Sequence, residues 1–345
     1  NNLYNKYRLT EPDDTPMFLR IARTRSPGIL IFLIIVAFLL WWSSFIQPEI
    51  PRFHFDNSQM PFYQLVMDAV GQNVLLNRII AFLILVVLGI LIMRFNQRYM
   101  FISTQAYLHV ALYILIASSF VQLQRLNPGL LSALFIFLML DQLFSAYKKR
   151  YVLNSLFLAG FWAAIAGLFY IHAVFFILLI WISLFILRSF SLREWFVPIL
   201  GFAFPLLFLF AFYFIYEPLS LQGLIETITG NYLNEVTVTY YNPAYYAFYG
   251  LMALLVIFGS FSLLGRFPKL KIYVRKYYEI LWWLFAGSVV LFILNSQVSV
   301  ELLYFVALPL SFLLAGYFLS IRSGVFGNIL LFLFIAALAF IQYMN

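Results

Sequence analysis

Apolar residues run through this chain in blocks of roughly twenty, parted by short polar stretches. That is the length an α-helix needs to cross a ~30 Å hydrocarbon core. On this ruler the sequence predicts eleven spans: Gly28–Phe45, Val74–Met93, Phe101–Val121, Gly129–Ala146, Val152–Phe169, His172–Leu187, Trp195–Tyr216, Tyr245–Leu264, Ile280–Leu294, Leu302–Leu319 and Val325–Met344. The stretch from Val152 to Leu187 is too long for one span. It is divided near Gly167–Ala173, with His172 at the tip of a tight helical hairpin. The blocks lack the two-residue alternation of a membrane barrel. The expected fold class is therefore an all-α, polytopic integral membrane protein.

Between the blocks, three segments carry helical apolar stripes of the kind that lie on a membrane. Thr15-Pro16 reads as a helix start, followed by Phe18, Ile21 and Ala22 on one face and Arg20, Arg23 and Arg25 on the other. After Pro61, the residues Phe62, Leu65, Val66, Ala69 and Val70 repeat at helical spacing, as do Leu221, Leu224, Ile225, Ile228 and Tyr232. The domain reading is a cytoplasmic segment over 1–27 with an interfacial helix, then one transmembrane domain over 28–345. The loops at about 46–73 and 217–244 lie outside. Tyr240, Tyr241, Tyr245, Tyr246 and Tyr249 form an aromatic belt at a headgroup boundary or a surface for stacking a sugar or lipid.

Composition agrees with the pattern. The chain is 64% hydrophobic and 10% charged, with a mean hydropathy of +0.95; soluble domains carry about 25% charged residues. A soluble globular domain is excluded. The absence of cysteine removes thiolate chemistry, Cys-ligated zinc and iron–sulfur clusters. The polar segment before the first span does not read as a cleavable signal.

Charge sets the orientation. With the N-terminus in the cytoplasm and the C-terminus outside, all but Arg52, Arg78 and Arg125 of the 21 Lys and Arg fall on the cytoplasmic side. This is the positive-inside bias. The net +8 is explained by topology and calls for no nucleic-acid partner; membrane lipids are the expected surroundings.

The remaining charges carry the candidate chemistry, since ionisable groups in a membrane are costly and mark function by default. Asp141, in the fourth span, is either a buried acid paired with the nearby Lys148–Arg150 cluster or part of an ion path. His109 in the third span reads as a core histidine. Outside, Arg52, Arg78 and Arg125 suit the bidentate binding of phosphate, and Asp56 is placed to serve as a general base. His54 would assist it or ligate a divalent metal, and Asp68 and His172 are accessory candidates. No cofactor is otherwise implied.

The order of first span, outside loop with an acid, flat helix and many further spans resembles the GT-C class of membrane glycosyltransferases. The local match is Pro51-Arg52-Phe53-His54-Phe55-Asp56-Asn57 with Tyr63 following; Asn57 stands where a second acid is common. The resemblance implies a polyprenyl-phosphate-linked sugar as substrate. The blocks Asn73-Val-Leu-Leu-Asn-Arg78, Leu126-Asn-Pro-Gly-Leu-Leu131, Phe157-Leu-Ala-Gly-Phe161, Leu168-Phe-Tyr-Ile-His172 and Leu308-Pro-Leu-Ser-Phe-Leu-Leu-Ala-Gly316 are similar to an uncharacterised family of polytopic inner-membrane proteins of Bacteroidota. That likeness implies the inner membrane of a Gram-negative cell, with the outside being periplasm. Three functions stay open: a GT-C-like enzyme on a lipid-linked glycan, a non-catalytic subunit of a larger envelope complex with other membrane proteins, and a transporter resting on Asp141.

Overall fold

The computed structural model describes residues 27–46, 60–71, 73–102, 107–188, 190–216, 223, 225–226, 228–229, 243–294, 300–320 and 324–344. Among these the chain is helical, without strands. The helices, in order, are α1 (Pro27–Ile46), α2 (Pro61–Val70), α3 (Val74–Tyr99), α4 (Leu108–Ala117), α5 (Pro128–Ser145), α6 (Leu153–Phe169), α7 (Ile177–Leu187), α8 (Leu192–Tyr216), α9 (Pro243–Arg266), α10 (Ile272–Leu294), α11 (Leu303–Ser320) and α12 (Gly324–Met344). Six helical stretches (Val74–Tyr99, Pro128–Ser145, Leu192–Ile215, Ala247–Lys269, Ile272–Ile293 and Val300–Leu319) are long and apolar enough to cross a membrane, and five shorter apolar helices accompany them. Among the described residues, six of the eleven predicted spans are thus matched by helices of spanning length and the other five by shorter apolar helices, and α2 is the predicted extra helix. The segment over 1–26 and the stripe at Leu221–Tyr232 fall mainly outside the described residues.

Helix starts follow local chemistry. Asn73 caps α3 by accepting from the Leu76 amide at 3.0 Å, and Asn127 caps α5 by accepting from Leu130 at 2.8 Å. Each satisfies one of the amide donors that a helix leaves without an internal partner. Pro61 and Pro128 occupy first-turn positions, where a missing N–H costs nothing. α8 and α11 run on through Pro198, Pro205 and Pro309. The chain reverses where expected: α6 ends at Phe169, a 3₁₀ turn covers Ile171–Phe176, and α7 follows. The bare Cα of Gly167 admits the Val174 side chain against it. His172 lies in this turn and is buried, 4% exposed.

α11 is the central helix, nine-tenths buried over its spanning stretch, and α8 is a rim helix with only 17% of its window buried. Side-chain contacts sort the helix ends into two groups. At one end Arg98, Asp141, Phe144, Arg188 and Tyr277 meet across α3, α5, α7 and α10. This is the end that carries Lys148–Arg150, Arg266 and Lys269, and it is called the basic end below. At the other end Trp41, Ser44, Gln124, Tyr304 and Gln342 converge. Successive apolar helices thus alternate in direction.

One element departs from expectation. The predicted span Phe101–Val121 contains a helix of only ten residues, α4, about 15 Å at 1.5 Å per residue. The chain leaves the helix at Ser118 and runs as turns and a short 3₁₀ segment, Val121–Leu123, before α5 begins. Buried non-helical backbone survives only when protein groups satisfy its N–H and C=O groups, and here they do.

Candidate functional site

The segment 118–127 is the floor of a buried polar cluster. Its carbonyls and amides are engaged by side chains from distant helices. Gln124 donates to the Ser118 carbonyl at 2.9 Å and to that of Leu40 at 3.3 Å, while its own carbonyl accepts from Ser44 at 2.7 Å. Trp41 donates to the Ser118 hydroxyl at 2.9 Å, and Gln342 to the Ser118 carbonyl at 2.8 Å. Tyr304 donates to the Leu123 carbonyl at 2.8 Å. The Asn127 amide, besides capping α5, donates to the carbonyls of Leu123 and Arg125 at 3.2 and 3.1 Å. Buried polar groups bonded this fully rigidify their surroundings.

The cluster gathers two of the three arginines that the charge pattern singled out. Asn77, next to Arg78 on α3, accepts from the amide of Leu126, next to Arg125, at 2.8 Å. The chain neighbours of the two arginines are thus joined through the Asn77 side chain. Arg78 is 2% exposed and Arg125 3% exposed, and the Arg125 Nε donates to the Leu126 carbonyl at 3.4 Å. Neither stands on an open surface. α2 lies over this region: the Tyr63 hydroxyl donates to the Leu126 carbonyl at 3.3 Å, and the Asn77 amide reaches the Met67 sulfur at 3.8 Å.

Glu301 joins the cluster from the α11 side. It is fully buried, accepts from the Tyr170 hydroxyl at 3.2 Å and packs against Gly129 so closely that a Cβ there would sit 2.9 Å from its own Cβ. The His172 ring stands edge-on to Tyr170, centroids 5.1 Å apart. Glu301, Tyr170, Tyr304, Asn77 and Asn127 were not predicted as site residues. Only Asn127-Pro128 leaves a local signal, a helix start; the others are recruited from far along the chain.

Beside this cluster lies an apolar groove of about 390 Å³ between α2, α6 and α8, within the range of small-molecule sites. Pro61, Phe62 and Leu65 form one wall, Phe161 and Ile165 a second, and Phe208 and Phe212 part of the third. Phe62 also meets Phe169 edge-on at 5.7 Å, fixing α2 against α6.

The other predicted site residues are placed differently. Asp56, Arg52 and His54 lie outside the described residues, and Asp68 is exposed on α2. Asp141 belongs to the basic end, where Arg98 pairs with it at 3.0 Å and the Tyr99 hydroxyl bonds it at the same distance. Its partner is Arg98, not the Lys148–Arg150 cluster. His109 is buried and stacks on Phe312 at 5.4 Å, as a core histidine would. Among the described residues no group of three or more His, Asp or Glu could hold a metal ion.

No curated protein and no solved structure matches the chain. The similarity that does emerge is to a sequence family, and it covers α2, every helix after it and the cluster apart from Leu40, Trp41 and Ser44 of α1. Residues 59–345 match a family of unknown function, DUF6427, and the chain belongs to that family.

Proposed function

We propose that the protein acts on a lipid-linked glycan, in the manner of GT-C enzymes that use polyprenyl-phosphate sugars, from the end of the bundle opposite the basic one. In this reading that end faces the periplasm and the basic end the cytoplasm of a Gram-negative inner membrane, as the positive-inside bias suggests. The observation that carries the reading is the position of α2. One side of this short helix lines the apolar groove, and its Tyr63 and Met67 touch the backbone and side chain adjoining Arg125 and Arg78. A single element thus links a place for a hydrocarbon chain to a place for an anionic head.

The chemistry follows from the residue types. Asp56, four residues before Met60 at the start of α2, takes the proton of an acceptor hydroxyl. The acceptor oxygen bonds to the anomeric carbon, and the bond to the lipid phosphate breaks with its electron pair on the phosphate. Arg52, Arg78 and Arg125 hold the charge that develops there. His54 assists Asp56 or ligates a divalent metal, with Asp68 and His172 as accessory groups. Because Arg78 and Arg125 are buried, a phosphate reaches them only if the elements around them rearrange.

The burial of these two arginines also favours a second reading, a non-catalytic subunit of an envelope complex. In it the same side chains only hold the segment 118–127 in place. Asp56→Ala and Arg78→Ala separate the two. Altered envelope glycans with an intact set of co-purifying polypeptides support the enzyme; unchanged glycans with loss of co-purifying polypeptides support the subunit.

A further inference from the structure

The basic end holds two guanidinium groups of a different kind from Arg98 and Arg188. Those two meet Asp141 and Glu194 at 3.0 and 2.8 Å. Arg266, the last residue of α9, spends its Nε on the Ser262 carbonyl of its own helix at 3.2 Å. Its Nη2 is buried without a hydrogen-bond partner, and so is the Nε of Arg275 on α10. Neither arginine has a carboxylate within ion-pair distance among the described residues. Buried donors of charged groups that lack an acceptor are rare because they forfeit their hydration.

The two converge. Arg266 Nη2 and the Tyr278 hydroxyl lie 3.3 and 3.4 Å from the point where Gly316 would carry a Cβ, so both gather over one bare stretch of α11. Arg275 precedes Tyr278 by three residues on α10, which sets them on one helix face. Between α9 and α10 the turn supplies Lys269 and Lys271, and Lys276 lies over the Tyr147 ring at 5.8 Å. Two buried guanidinium donors, a phenol and a rim of lysines call for an oxyanion with several acceptor oxygens. Phosphate suits the guanidinium fork, and basic pockets between spanning helices are where lipid phosphates dock.

We propose that Arg266, Arg275 and Tyr278 bind a phosphate group, carried by an anionic phospholipid of the leaflet at the basic end. This inference concerns the end remote from α2 and does not rest on the glycosyl-transfer reading. The test uses the full chain in nanodiscs of phosphatidylcholine alone, of phosphatidylcholine with phosphatidylglycerol, and of phosphatidylcholine with inorganic phosphate in the buffer. Phosphatidylglycerol raises the unfolding temperature of the parent protein, with an apparent affinity at least tenfold weaker in Arg266→Gln and Arg275→Gln. The same pattern with inorganic phosphate supports the phosphate site but assigns its source to a free anion. Should Arg266→Gln fail to fold, Arg275→Gln alone decides. The proposal is overturned if neither additive stabilises the parent, or if the glutamine variants respond as the parent does.

Discussion

Gly160 on α6 and Gly201 on α8 are reciprocal contacts. A Cβ added at Gly160 would collide with the carbonyl of Pro198, and one added at Gly201 with the carbonyl of Phe157. The two backbones are therefore in direct apposition, the arrangement that small residues permit between helices in lipid, where no hydrophobic force drives association. α8 is otherwise a rim helix with most of its surface uncovered. This contact and the groove wall that depends on it are what α8 contributes.

Gly160→Leu should therefore separate α6 from α8. The expected loss is about 1–3 kcal/mol, the usual range for forcing volume into a packed contact. Thermal unfolding in detergent measures it. Gly250→Leu, where a Cβ meets open space, should leave the midpoint nearly unchanged.

The Arg98–Asp141 pair should contribute little to stability despite its short distance. The Arg98 side chain is 54% exposed, and exposed pairs are worth roughly 0–1 kcal/mol. A double-mutant cycle with Arg98→Gln and Asp141→Asn should give a coupling below ~1 kcal/mol that shrinks with salt. A transporter relying on Asp141 would instead lose a measured flux in Asp141→Asn.

Asn127 does more than cap. Asn127→Ser keeps an acceptor for Leu130 but loses the amide donors to Leu123 and Arg125. Asn127→Ala loses both. Cap removal alone costs ~0.5–2 kcal/mol, and each carbonyl left without its donor adds to it. Alanine should therefore destabilise more than serine, which retains the cap, in chemical unfolding followed by tryptophan fluorescence.

Tyr170→Phe removes the hydroxyl that donates to the Glu301 carboxylate, which has no exposed surface. The expected loss is about 1–3 kcal/mol. Tyr213→Phe, at the groove, serves as the comparison and should lose less. Equal losses would show that the Glu301 contact is not special.

How much of this was legible in the sequence depends on how local each cause is. The apolar helices were found in order because a lipid-crossing helix writes its length directly into the chain. α4 was overestimated because Phe101–Val121 is uniformly apolar, whereas its end at Ala117 depends on Gln124 reaching Leu40 and Ser44, about eighty residues away. On α2 the apolar stripe is visible and its Val70 is buried, yet the most buried residue is Tyr63, off that stripe, whose hydroxyl meets Leu126. Leu65, on the stripe, is 66% exposed. Arg78 and Arg125 stood out by violating the charge bias, and they share a neighbourhood. Glu301 was only one acid among the outside charges; its burial is set by Tyr170, 131 residues earlier, and no local pattern announces that.

In the proposed function, α2 joins a groove for a lipid chain to an arginine-bearing polar end. The most direct test is mass spectrometry of lipids released from the purified protein, compared with a variant whose groove is filled by Leu65→Trp and whose fold is verified by its unfolding midpoint. The parent protein should retain a polyprenyl-phosphate lipid, and Leu65→Trp should lose it. Retention of no such lipid by the parent, or equal retention by both proteins, would contradict the proposed function.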